Sequence, residues 1–194
     1  MKPKRNYTTK AEESNPRDRC QTPEYALDPL IPFLRSDWAL WEAAAGEGLL
    51  VQHLHTAGFP HVIAGDILTG QNYFAYEPDA WDAQVTNPPF SIKFRWLERA
   101  YRLSKPFALL MPVEVLGAVS AQRLFERYGV EVIFFDKRID YKMPNKGTQG
   151  SGAQFPSAWF TWGLNIGRQM TFAHILKGKR RKQARLQLPL AIAI

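Results

Sequence analysis

Apolar residues fall along this chain in short blocks separated by polar or glycine-rich turns, and the spacing within each block predicts its conformation. Trp38 to Trp41 reads as a buried strand running into Gly46-Glu47-Gly48, followed by a helix from Leu49 to Ala57 that stops at Gly58. His61 to Ala64 is a second strand ending at Asp66, and Tyr73-Phe74-Ala75 a third, weaker one. Ala83 to Thr86 is a fourth strand and leads directly into Asn87-Pro88-Pro89-Phe90. Ser91 can cap a helix, because Ile92, Trp96, Leu97, Ala100 and Leu103 recur at helical spacing. Phe107 to Pro112 is wholly apolar, as strands of parallel sheets are. A helix over 118–127, a strand over 130–135 and a last strand over 158–162 complete the pattern, with a short proline-interrupted helix over 22–34 ahead of it. Such alternation predicts an α/β sandwich that takes ligands at the carboxyl ends of its strands.

Length and charge refine this picture. At 194 residues one core is expected, and 45% hydrophobic with 22% charged residues is ordinary for a folded globular chain. The net charge of +7 lies at the ends: residues 1–20 carry six basic against three acidic residues, and residues 177–194 carry six against none. The stretch 21–176 keeps 13 basic and 15 acidic residues, a balance of −2. A basic arm over 1–20, a domain over 21–176 and a basic tail over 177–194 are therefore expected. Such ends suit nucleic acid, where they displace counterions from phosphate, and equally suit mere solvation. Cys20 is the sole cysteine, which precludes an internal disulfide and a cysteine zinc site and agrees with a reducing cytoplasm. No apolar run approaches a membrane span. His53 and His55 stand two apart on a helix and diverge, so no metal is expected.

Asn87-Pro88-Pro89-Phe90 carries the sharpest chemistry. An exocyclic base amine is a poor nucleophile because its lone pair is delocalised into the ring. Two acceptors bonded to its hydrogens, the Asn87 side-chain oxygen and the Pro88 carbonyl, would draw the nitrogen towards tetrahedral geometry and stabilise the positive charge that develops there. Pro88 and Pro89 stiffen the loop, and Phe90 offers a face for an extruded base. An ordinary proline turn would carry the same letters.

Upstream, Glu42-Ala43-Ala44-Ala45-Gly46-Glu47-Gly48 follows a strand. Glycines there let backbone approach a cofactor, and an acid at the strand end can hold a cationic amino group. A dinucleotide fingerprint would want glycine where Val51 stands, which disfavours a nicotinamide. Asp66 lies 18 residues beyond Gly48, close to where a carboxylate can accept ribose hydroxyls.

Taken together, these residues resemble the class I S-adenosylmethionine-dependent amino-methyltransferases that carry Asn-Pro-Pro followed by an aromatic residue. The likeness is strongest to small solitary DNA N6-adenine enzymes of bacteriophages and prophages. It covers about residues 21–165 and implies a Rossmann-like α/β fold with a mostly parallel seven-stranded sheet flanked by helices. It further implies that Glu42, Gly46 and Gly48 form the cofactor loop, Asp66 the ribose acid, and Asn87, Pro88, Pro89 and Phe90 the catalytic turn. Gln21-Thr22-Pro23 is similar to the family's upstream motif, so Thr22 and Pro23 are expected to meet the methionine moiety. Tyr141 and Phe155 are candidates for the wall of the base pocket. Asn72 stands where the family usually has an acid for the cofactor's adenine amine, and an amide oxygen can still accept there. Tyr73 and Phe74 fit either as flanks of that adenine or as core.

Direct in-line transfer to a flipped base follows, with double-stranded DNA as the expected partner, S-adenosylmethionine as cofactor, and no metal. Cytosine C5 chemistry would want a cysteine nucleophile in the pocket, and Cys20 lies in the N-terminal arm. Cytosine N4, amines of RNA bases and protein glutamine amides remain alternative targets, as does a non-catalytic nucleic-acid-binding protein on the same fold. Specificity is expected from the polar loop over 141–155 and the tails.

Overall fold

The computed structural model describes residues 18–142 and 155–178. Seven strands form one sheet: β1 (Leu40–Glu42), β2 (Val62–Ala64), β3 (Ala83–Thr86), β4 (Phe107–Pro112), β5 (Glu131–Phe135), β6 (Ser157–Trp162) and β7 (Met170–Ala173). Their order is β2-β1-β3-β4-β6-β5-β7; β6 runs antiparallel to both neighbours, and every other pairing is parallel.

Among the described residues, three helices cover the sheet. In α1 (Leu49–Thr56), Leu50 and Leu54 lie four apart and turn inward. α2 (Lys93–Leu103) buries Trp96, Leu97, Ala100 and Tyr101, and it ends where Ser104 takes a left-handed conformation. α3 (Val119–Tyr128) buries Ala121 and ends at Gly129. Along β4 the pleat sends alternate side chains into two cores. Ala108 and Leu110 join Leu40, Leu54 and Val85 on one face, while Phe107, Leu109 and Met111 join Leu97 and Phe160 on the other.

Several expectations are corrected. Tyr73-Phe74-Ala75 is a turn: Asn72 O accepts from Ala75 N at 2.9 Å and from Tyr76 N at 2.8 Å, while Asn72 Oδ1 accepts from Phe74 N at 2.9 Å. Its aromatics satisfy their apolar character by packing on Trp41 and Trp96, so no ladder is needed. The seventh strand is β7, a short edge strand whose Met170 and Phe172 stay exposed and which therefore offers no buried apolar run to read. Residues 22–34 form two single 3₁₀ turns, Glu24–Ala26 and Ile31–Phe33, because Pro29 and Pro32 cannot donate to a continuous helix. Ser91 lies within a 3₁₀ turn, Phe90–Ile92, and caps nothing; its hydroxyl is bonded elsewhere. No helix among the described residues is long and apolar enough to cross a membrane. The loop expected to govern specificity lies outside the described residues over 143–154, as do residues 1–17 and 179–194 of the two ends.

Candidate active site

Parallel pairing sets three candidate segments side by side. β1 lies between β2 and β3, with Glu42 opposite Ala64 and Trp41 opposite Gln84. The glycine loop after β1, Asp66 after β2 and Asn87 after β3 therefore leave the same edge of the sheet. The chain order reverses across β1 and β3, which is where α/β sheets open a crevice.

The glycine loop is held from two sides. Gly46 and Gly48 take left-handed φ values of 52° and 78°, which other residues adopt at a cost. Gly46 donates its N–H to Asp66 Oδ2 at 2.8 Å, and Leu68 N donates to Asp66 Oδ1 at 2.8 Å, so this carboxylate ties the loop to the end of β2. Each carboxylate oxygen retains a further lone pair. Beneath the loop, Glu42 is 1% exposed and accepts from Ala44 N at 2.9 Å and from the Thr86 hydroxyl. Burial pushes its carboxyl up to about 8. Glu42 thus stands under the loop and is absent from the residues lining the cleft above it.

That cleft is lined by Ala44, Asp66, Ile67, Asn72, Phe74 and Pro89, among others. Tyr73 and Trp96 contribute a stacked pair with ring centroids 3.7 Å apart, and the Arg95 guanidinium lies 4.2 Å from the centre of the Phe74 ring. One cavity therefore connects Asp66, the Asn72 turn and Pro89 of the proline turn. Its lining offers a carboxylate with spare acceptor capacity and apolar and aromatic walls, which suits an adenosine-type cofactor, while Gly46, Gly48 and Asn87 lie outside that lining. Asn72 Oδ1 serves its own turn and keeps one lone pair for an amine.

At the other end, Asn87 donates Nδ2 to the main-chain carbonyl of Cys20 at 3.1 Å. Its Oδ1 is buried and has no hydrogen-bond partner among the described residues. A buried amide oxygen left unbonded costs about 1–3 kcal/mol, and Oδ1 of Asn87 shares this state with six other buried side-chain atoms among the described residues, so it can accept a further donor. Pro88 is buried, and Phe90 is half-buried. The Phe90 ring stands edge-on to Tyr141 at 6.0 Å and to Phe155 at 5.5 Å between centroids. Tyr141 is 3% exposed and donates to Ser157 Oγ at 2.9 Å, and burial raises its phenol pKa. The three aromatics thus meet, with the Tyr141 ring held in the core.

Thr22 and Pro23 are buried beside this edge. Their neighbour Gln21 pairs with Lys142 through both main-chain groups, and its side chain lies against Gly46, where a Cβ would stand 2.5 Å from Gln21 Nε2. Sequence reasoning missed Cys20 and Asp18 as parts of the site, because they act through a main-chain carbonyl and a long-range contact that no spacing reveals. It read Trp96 as core through its helical spacing, and the structure places it in the core and in the cleft wall together.

No family model matches the chain, and no curated protein matches it. Solved structures do. A type I restriction-modification system methyltransferase subunit from Streptococcus thermophilus superposes with a TM-score of 0.54 at 14% identity, covering 84% of this chain and 49% of its own. A modification subunit assigned to a type I restriction enzyme from Vibrio vulnificus YJ016 gives 0.51 at 12% identity, covering 84% and 48%. The chain spans about half the length of these two proteins. The fold is the Rossmann-like methyltransferase fold that the sequence resemblance implied.

Proposed function

We propose that this chain is an S-adenosylmethionine-dependent methyltransferase acting on an exocyclic base amine, with adenine N6 in DNA as the target. The single observation that carries this reading is the buried, unbonded Oδ1 of Asn87 at the end of β3, in the turn whose Pro89 borders the cleft. An amine hydrogen is the partner this oxygen lacks, and the Pro88 carbonyl is the second acceptor that a planar NH₂ requires.

When bound, S-adenosylmethionine supplies an activated methyl carbon. The residues of this chain do the rest. Asp66 accepts from ribose hydroxyls while keeping Gly46 in place. Glu42, buried and bonded to Ala44 and Thr86, positions the glycine loop from below. Asn87 and Pro88 would bond the two amine hydrogens, drawing the nitrogen towards tetrahedral geometry and freeing its lone pair, and Phe90 would stack on the flipped base beside Tyr141 and Phe155. The fold shared with methyltransferase and modification subunits of type I restriction systems supports a DNA substrate, as do the basic ends of the chain.

The test is transfer of labelled methyl from S-adenosylmethionine to unmodified DNA, to RNA and to protein extract, followed by nucleoside analysis. N6-methyladenine in DNA is the expected product. N4-methylcytosine alone would overturn the base assignment, label confined to RNA or protein would overturn the substrate class, and no transfer at all would favour a non-catalytic binding protein.

A further inference from the structure

Asp18 to Gln21 cross the candidate active site as a strap. Asp18 Oδ2 accepts from the Ser91 hydroxyl at 2.5 Å, and its Oδ1 from Ser91 N at 3.3 Å. Two residues on, the Cys20 carbonyl accepts from Asn87 Nδ2 at 3.1 Å. One residue further, Gln21 N donates to Lys142 O at 2.8 Å, and Lys142 N donates to Gln21 O at 3.0 Å. Ser91 is only four residues past Asn87, so strap and turn close a ring: from Asn87 through the prolines to Ser91, across to Asp18, and back along the main chain to Cys20.

This ring bears on orientation. A side-chain amide can be turned over about its last bond, exchanging its donor and its acceptor. A main-chain carbonyl only accepts, so an amide facing Cys20 must present NH₂ to it and turn Oδ1 the other way. The direction of the free Asn87 oxygen is therefore set by where the strap holds one carbonyl. The latch at Asp18 and the pairing at Gln21 fix that carbonyl from both sides.

We propose that the strap Asp18–Gln21 is a positioning element for methyl transfer: the Cys20 carbonyl sets the Asn87 amide, and the Asp18–Ser91 pair latches it. The proposal rests on reading Asn87 as the amine acceptor. Asp18 and Ser91 touch no substrate and act through Asn87.

Cys20 is the only cysteine of the chain and is half-buried, so its thiol reports whether the strap is closed. Ser91→Ala removes the hydroxyl bond of the latch, the shorter of the two, and leaves the Ser91 N–H bond and the Asp18 charge in place, so a change in thiol titration does not imitate opening. Under native conditions, Ser91→Ala is expected to label with N-ethylmaleimide roughly tenfold faster than wild type. At saturating S-adenosylmethionine it should transfer methyl to DNA roughly tenfold more slowly, with an unchanged unfolding midpoint. Ser91→Thr keeps a hydroxyl and should restore both rates. Wild-type labelling in Ser91→Ala would show that the Ser91 hydroxyl does not hold the strap, and faster labelling with unimpaired transfer would show that the strap positions nothing; either overturns the proposal while the methyltransferase reading stands. A wild-type chain that transfers no methyl to any substrate would overturn the reading of Asn87 and this proposal with it.

Discussion

Thr86 on β3 donates its hydroxyl hydrogen to the buried carboxylate of Glu42 on β1, joining the ends of two neighbouring strands directly beneath the glycine loop. Desolvation raises the Glu42 carboxyl to about 8 against the opposing pull of the bonds from Thr86 and Ala44, and the nearby Asp66 charge adds to the rise. A protonated or polarised acid in that position ties strand to strand without leaving a bare charge in the core.

A pH dependence of stability follows. Below about 4.5, the ordinary value for this carboxyl, folded and unfolded chains both hold the proton and Glu42 adds no slope. Between about 4.5 and 8 the unfolded chain has released a proton that the folded one retains, so the unfolding free energy falls as pH rises, by at most about 1.4 kcal/mol per unit. Above about 8 the loss is complete. Glu42→Gln keeps an acceptor for Thr86 and has nothing to titrate, so its stability relative to wild type should grow steadily across this window. Urea unfolding of both proteins at several pH values measures it, and parallel profiles would contradict the assignment.

Asn87→Ala should lower single-turnover methyl transfer by roughly 10²- to 10³-fold, the usual loss when a group aimed at developing charge is removed. Asn87→Asp should do no better, because its carboxylate would face the Cys20 carbonyl as two acceptors without a donor. Circular dichroism and an unfolding midpoint close to that of wild type separate this from a folding defect.

Gly46 and Gly48 should differ in kind. Both substitutions to alanine place a side chain at positive φ and cost about 1 kcal/mol of stability. At Gly48 the new methyl meets open space, whereas at Gly46 it would stand 2.5 Å from Gln21 Nε2 and push that side chain off the loop. If the glycine loop holds S-adenosylmethionine as proposed, calorimetric titration should show weakened binding in Gly46→Ala and near-normal binding in Gly48→Ala; equal effects would argue against a role for the Gln21 contact in that binding.

Phe90→Ala should weaken productive DNA binding by roughly tenfold or more, since stacking of a base on an aromatic ring contributes about 1–3 kcal/mol. Phe90→Tyr keeps the ring and should retain most of the activity. Cofactor affinity, measured separately, should stay the same in both.

Much of the fold was legible because buried strands and amphipathic helices write their own periods. Ala83–Thr86 and Phe107–Pro112 match the expected strands residue for residue, and α1, α2 and α3 fall within a residue or two of their predicted ranges. The failures have physical causes. Tyr73 and Phe74 are aromatic enough for a strand, yet Asn72 offers a turn and Trp41 and Trp96 offer the packing. β7 pairs with β5 alone and leaves its larger side chains in solvent, so its pairing comes from a neighbour and leaves no trace in its own residues.

Local chemistry determined the rest of what could be read in one dimension: glycines where backbone must turn left-handed, prolines that stiffen a turn, an amide at a strand end, a carboxylate after the next strand. Each is a property of a few adjacent residues, and sequence states such properties directly. Only the tertiary structure decided that Asp66 bonds Gly46, that Glu42 lies under the glycine loop and bonds Thr86, and that Cys20 holds Asn87. Those contacts join residues 20, 44 and 67 positions apart. Strand order and loop closure set them, and no local pattern of residue types carries that information.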